Sequence, residues 1–213
     1  GRHPLPTRAR LQAAADRWGL REAQPVIIYD DYRSLSAARA WWLLTRSGVE
    51  DVRILDGGLS GWIDAGFRLE TGEAAASRGN LVLHEITDDI LTIATVGEFA
   101  TTSVLLDVRA ANRFRGETEP FDPIAGHIPG AVNLPSDNYL NGAYFRLADE
   151  LREVFKDAGV RDGVEAAAYC GSGITAAQAL FAAELAGLTL RIYPGSWSEW
   201  SNTPGVAIAT GPS

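Results

Sequence analysis

The stretch AAAYCGSGITAAQAL, residues 166–180, decides the fold. A short apolar run meets a cysteine, two glycines follow within three positions, and an alanine-rich segment at helical spacing completes it. This is the pattern of a buried strand handing over to a helix through a tight loop. In an open α/β sheet such handovers, at the carboxyl ends of the strands, are where ligands sit. The loop CGSGIT lets backbone N–H groups converge on one point, and a helix beginning near Ile174 adds the partial positive charge of its N-terminus. Both effects favour the thiolate of Cys170, the nucleophilic form, over the thiol. The competing reading, a small buried hydrophobe, describes most single cysteines. The flanking glycines and the handover position favour the reactive one.

The pattern continues on either side and then repeats. Residues 164–170 (VEAAAYC) read as a strand, Ile174 to Ala186 as a helix stopped by Gly187, and LTLRIYPG as a further strand and turn. Earlier in the chain Thr7 to Trp18 reads as a helix, PVIIYD from Pro25 as a buried strand, Ser36 to Ser47 as a helix stopped by Gly48, and DVRILDGG as a strand and turn. Tyr29–Asp30 stands where Tyr169–Cys170 stands later, and Gly57 and Trp62 match Gly195 and Trp200 at nearly the same spacing. Strand, helix, strand implies parallel pairing through a crossover helix. The expected fold is therefore α/β, an open parallel sheet with helices on both faces, in two related units. The second unit has a front part as well: SVLLDVRAANRFRG supplies a strand ending at Asp107 to Arg109, GHIPGAVNLP a loop and short strand, and Ala148 to Ala158 an amphipathic helix. The expected division is residues 1–72, the rear half of a first domain; 73–80, a small and polar linker; and 81–213, a complete second domain.

Composition bounds the function. The chain has 213 residues, 46% of them hydrophobic, and a formal net charge of −8. Such a balance gives no overall attraction to nucleic acid or anionic membrane, and no lysine or arginine run makes a local exception. No stretch approaches the roughly 20 apolar residues needed to span a bilayer. One cysteine cannot form an internal disulfide, so a cytoplasmic, reducing home is the simplest expectation. The chain contains no methionine, and the first unit begins only at its helix, so the front half of that unit is expected to exist as a separate upstream segment and possible partner.

Other chemistries fit less well. A phosphatase loop needs a cation, whereas this one closes with Thr175, Ala176 and Ala177. A cysteine hydrolase needs a histidine; His127 in AGHIPGA is the candidate, though a turn histidine bonded to backbone is the commoner role, and His3 and His84 lie outside the motifs. One cysteine and three scattered histidines give no metal-ligand spacing.

Together, CGSGIT, DVRAANRFRG, GHIPGAVNLP and YPGSWSEW, in this order, resemble the catalytic domain of a tandem rhodanese-type sulfurtransferase. Residues 7 to 70, with DGGLSGW and with Asp30 in place of the cysteine, resemble the rear of that family's inactive N-terminal domain. The resemblance implies a rhodanese-like fold and an enzyme without a cofactor. In it Cys170 takes sulfur from a small donor as a persulfide and passes it to cyanide, a small thiol or thioredoxin. It further implies that Gly171, Ser172, Gly173, Ile174 and Thr175 form the cradle and that Arg113 meets the anionic donor. Asp107 and Arg109 would order the pocket, or equally form a buried structural ion pair, while Trp197 and Trp200 pack its wall. A persulfide-carrying or protein-binding module without turnover is the alternative on the same fold.

The donor divides the family. Neutral residues after the cysteine, here Gly171 and Ser172, go with 3-mercaptopyruvate, with Ser172 in a proton relay; basic ones go with thiosulfate. Against this, Phe121 in TEPFDP occupies the place of a second, carboxylate-holding arginine, and the aspartate and histidine of the relay are expected outside this chain.

Overall fold

The computed structural model describes residues 1–72 and 77–212. Within the expected linker, residues 73–76 lie outside the described residues. The chain divides into two compact units, Leu5–Asp88 and Asp89–Ser213, the latter joined by Gly1–Pro4.

The first unit runs α1 (Arg8–Trp18), β1 (Val26–Ile28), α2 (Leu35–Arg46), β2 (Val52–Ile54) and α3 (Gly58–Asp64). Helix α1 starts where the Thr7 side chain accepts the Arg10 N–H and ends at Gly19 in the left-handed region. Strands β1 and β2 pair in parallel, with Val26 opposite Val52 and Ile28 opposite Ile54. Helix α2 covers this ribbon with Ala37, Ala38, Trp41 and Leu44 buried. The expectation of a buried first strand needs correction: Ile27 is 63% exposed, because α2 covers one face of the two-stranded ribbon and the alternate side chains point away from it. The unit boundary also moves. Gly79 and Asn80 donate to the carbonyls of Asp16 and Leu20, and the Leu83 N–H donates to Gln12, so residues 81–88 pack on the first unit rather than opening the second.

The second unit runs α4 (Val96–Thr102), β3 (Val104–Asp107), α5 (Ala111–Phe114), β4 (Val132–Asn133), a 3-10 turn (Ser136–Tyr139), β5 (Leu140–Asn141), β6 (Tyr144–Phe145), α6 (Ala148–Asp157), β7 (Ala166–Tyr169), α7 (Ile174–Leu185), β8 (Arg191–Ile192) and α8 (Ser196–Trp200). Its parallel sheet has the order β4-β3-β7-β8, with Leu105 opposite Ala167 and Asp107 opposite Tyr169; β5 and β6 form a separate antiparallel pair. Strand alternation sends Leu105, Ala167 and Tyr169 to one face, into a core with Phe99, Phe114, Trp197 and Trp200 from α4, α5 and α8. The other face carries α7, itself packed against α6. The alanines of the opening stretch now have a structural reason. Ala166 and Ala168 on the α7 face of the strand and Ala176, Ala179, Ala182 and Ala183 in the helix are all buried. Side chains this small let α7 lie close on the central strand, and alanine gives up no rotamer entropy in doing so.

The two units share their local wiring as well as their order. The Leu59 N–H donates to the Asp30 carbonyl at 3.0 Å, and the Trp197 N–H donates to the Cys170 carbonyl at 2.9 Å. In each unit the glycine-led turn after the second strand of the repeat is thereby tied to the loop after the first. No helix among the described residues is long and apolar enough to cross a membrane.

Candidate active site

Cys170 stands directly after β7, buried, with its loop ahead of α7. The Gly173 N–H donates to its Sγ at 3.0 Å. Gly173 caps α7 at φ 86°, left-handed backbone that glycine adopts without strain, and this conformation turns its N–H back toward the sulfur. From behind, the Ser196 hydroxyl accepts the Cys170 N–H at 3.1 Å, donates to the Tyr193 carbonyl at 3.0 Å and lies 4.0 Å from Sγ. The Ser198 N–H donates to the Gly171 carbonyl. The turn at α8 therefore holds the cysteine loop from one side while the start of α7 closes it from the other.

The first unit displays what this loop geometry favours. There the Asp30 carboxylate accepts four backbone N–H groups, from Tyr32, Ser34, Ser36 and Ala37, each at 2.9 Å. A strand-to-helix loop of this pattern is an anion nest. In one unit a fixed carboxylate fills it; in the other the cysteine sulfur sits at the equivalent turn.

Asp107 and Arg109 form a fully buried pair, with Nη2 to Oδ2 at 2.6 Å and Nε to Oδ1 at 3.0 Å. Arg109 also donates to the Gly126 carbonyl and to Glu119, and its guanidinium lies 4.6 Å over the Trp197 ring. Burial alone pulls the Arg109 guanidinium down, but the Asp107 carboxylate, with Tyr169 and Glu119, outweighs it and holds the group above its ordinary value. Trp197 donates to the Ile124 carbonyl and Trp200 to the Ala207 carbonyl, so both anchor the wall of the unit. His127 is buried, bonded through Nδ1 to the Phe114 carbonyl and stacked on Phe114 at 3.6 Å. It plays the backbone-bonded role and is not a partner of the cysteine.

Arg113 leans on Glu119, with Nη2 at 2.7 Å from Oε1, and reaches the loop: a Cβ built on Gly171 would lie 3.3 Å from its Nη1. Glycine at 171 is what leaves room for that approach. Ile174 and Thr175 form the first turn of α7 and are partly buried.

Sequence reading missed two residues. His3 lies outside the motifs, yet its Nδ1 lies 2.8 Å from the Ser172 hydroxyl. Arg2 beside it pairs with Asp122, and its N–H donates to the Ser198 hydroxyl. No local pattern marks either one, since they reach the site across more than a hundred residues of sequence.

The comparisons agree with this geometry. The model of the rhodanese-like domain matches residues 1–65 and 96–203. A Mycobacterium tuberculosis protein assigned as thiosulfate sulfurtransferase SseB is 44% identical over 218 residues, covering 99% of this chain and 76% of its own length. A Pseudomonas aeruginosa protein assigned as a 3-mercaptopyruvate sulfurtransferase is 44% identical over 217 residues, with the same shares. The 3-mercaptopyruvate sulfurtransferase of Escherichia coli K12 is 34% identical over 203 residues, covering 93% of this chain and 72% of its own. Among solved structures, wild-type EanB superposes with a TM-score of 0.85 at 26% identity, over 97% of this chain and 55% of that one. The chain thus spans just over half the length of EanB, a protein of which another structure holds a cysteine persulfide with ergothioneine. Two units of one pattern, one with a carboxylate and one with a cysteine at the same turn, find their explanation here: the chain belongs to the rhodanese family and is a sulfurtransferase.

Proposed function

We propose that this chain moves the sulfur of 3-mercaptopyruvate through a Cys170 persulfide to a small thiophilic acceptor such as cyanide, a thiol or thioredoxin, with thiosulfate as a second donor. The observation that carries the choice of donor is the 2.8 Å contact of His3 with Ser172, two positions after the cysteine.

The reason is proton accounting. When the Cys170 thiolate attacks the sulfur of mercaptopyruvate, the S–S bond forms and the C–S bond breaks, leaving its electron pair on carbon as the enolate of pyruvate. The proton of the donor thiol must then reach that carbon, which yields pyruvate and an anionic persulfide. A hydroxyl coupled to an imidazole is suited to carry it. With thiosulfate the same attack releases sulfite directly, and no proton moves. In the closing half-reaction cyanide attacks the outer sulfur, thiocyanate leaves, and the thiolate returns.

The supporting roles follow from position. The Gly173 N–H, with the amides of Gly171 and Ser172 and the start of α7 at Ile174 and Thr175, offers fixed dipoles to the persulfide anion, the electrostatic logic of an oxyanion hole. Arg113 receives the anionic end of the donor. Asp107 and Arg109 hold the floor beneath it. A reducing, cytoplasmic setting suits a site that works through a single free thiol.

The test is sulfur transfer to cyanide from 3-mercaptopyruvate and from thiosulfate side by side, in wild type and Cys170→Ser. Thiocyanate formation that favours mercaptopyruvate and vanishes with the cysteine is expected. Turnover of thiosulfate alone would overturn the choice of donor, and activity surviving in Cys170→Ser would overturn the mechanism.

A further inference from the structure

Phe121 occupies the place where the motif reading expects a second arginine, and in the folded chain an arginine is there after all, supplied from elsewhere. Arg2 lies with its guanidinium 5.7 Å from the Phe121 ring centroid, and Arg113 lies 5.4 Å from the same ring. Arg2 sets Nη1 against Asp122, whose side chain is buried, and turns Nη2 toward the cysteine loop, 3.6 Å from a Cβ built on Gly171. Arg113 sets Nε and Nη2 against the buried Glu119 and brings Nη1 and Nη2 to 3.3 and 3.4 Å from the same point. Each guanidinium is held by a buried carboxylate and lies against the residue following Cys170. The Arg2 N–H, bonded to the Ser198 hydroxyl, ties the backbone of this segment to the turn that holds the loop. Phe121, 70% exposed, lies against both groups, where an aromatic face attracts cations.

We propose that Arg2 is the second arm of an anion clamp, binding with Arg113 the anionic end of the sulfur donor over Phe121. This deepens the sulfur-transfer reading and rests on it. Two guanidiniums converging on one point form the arrangement that recognises a carboxylate or another oxyanion. The Arg2 side chain is 37% exposed and that of Arg113 17%, so both guanidiniums keep contact with solvent. A hydrophobic residue at 121 is then compatible with an acidic donor, because charge and aromatic shelf have been divided between two segments of the chain.

The first experiment compares Arg2→Ala, Arg2→Lys and the double variant Arg2→Ala/Phe121→Arg. Arg2→Ala is expected to raise KM for mercaptopyruvate about tenfold with a much smaller change in kcat, the size expected for a partly exposed charge-assisted contact. Arg2→Lys should fall between, since it keeps charge but not the planar fork, and the double variant should recover most of the loss. A fall in kcat at unchanged KM would mean that Arg2 only seats His3, and would overturn the clamp.

A second measurement does not depend on turnover. Iodoacetate and iodoacetamide both alkylate Cys170, the thiolate forming an S–C bond while iodide leaves, yet only iodoacetate carries a carboxylate. The ratio of their rates is expected to fall about tenfold in Arg2→Ala. Should the wild type use neither donor, the sulfur-transfer reading fails and this ratio still decides the clamp; an unchanged ratio in Arg2→Ala overturns it.

Discussion

Replacing Arg109 by methionine tests the idea that the active-site floor is held by a buried ion pair. Methionine fills much of the same space but removes the bonds from Nε and Nη2 to Asp107, at 3.0 and 2.6 Å, together with those to Glu119 and the Gly126 carbonyl. Asp107 would be left as a fully buried carboxylate whose cation is gone. Removing one partner of a buried pair costs roughly 3–5 kcal/mol, a large share of the 5–15 kcal/mol or so that holds an ordinary domain together. The loss would be felt where Asp107 ends β3, opposite Tyr169 and one residue from Cys170. Hydrogen exchange of the β3 and β7 amides is the suitable assay, because it reports this unit separately from the other. Protection there should fall between about a hundredfold and a few thousandfold, at about 1.4 kcal/mol per factor of ten. The pair Asp107→Asn/Arg109→Met should cost less than the sum of its single changes, since no charge remains unmatched. A single-variant loss below tenfold, or strict additivity in the double, would refute the reasoning.

Three further outcomes are expected. Asp30→Asn replaces one accepting oxygen with an amide NH2 that faces backbone N–H groups; losing two charge-assisted bonds should destabilise the first unit by about 3 kcal/mol, read as lost exchange protection in α2 with β7 unaffected. His3→Gln should lower kcat with mercaptopyruvate by roughly a hundredfold while thiosulfate turnover, which moves no proton, changes little; equal losses with both donors would remove His3 from the relay. Burial first, and then the Asp107 carboxylate, push Tyr139 and Tyr169 well above the ordinary tyrosine range. Burial, with Glu199, does the same for Tyr193. All three stay protonated in the folded unit while their unfolded counterparts ionise near pH 10, so stability is intact below that pH and falls above it by about 4 kcal/mol per pH unit. Alkaline urea titration of Tyr139→Phe should show roughly two thirds of that slope.

Local order was written plainly in the chain. The alanines of 166–183, the cysteine with its two glycines, and the matching of Tyr29–Asp30 with Tyr169–Cys170 specify strands, helices and turns through contacts between near neighbours, and the folded chain has them at nearly the expected places. The same locality explains what could be read of the site: Cys170, Gly171, Ser172 and Gly173 are consecutive, and Asp107, Arg109 and Arg113 share one strand-to-helix turn. The reading went astray where a contact closes over a long distance. Ile27 looked buried because apolar residues in a strand usually are, but its exposure depends on which face α2 covers. His3 reaches Ser172 across 169 positions and Arg2 reaches Asp122 across 120, and no periodicity encodes such a meeting. The sequence by itself determined the place of the cysteine, its loop and the repeated α/β frame, because these follow from hydrophobic period and glycine placement. Only tertiary structure decided which histidine meets Ser172 and which arginine stands over Phe121, because those pairings depend on how distant segments pack.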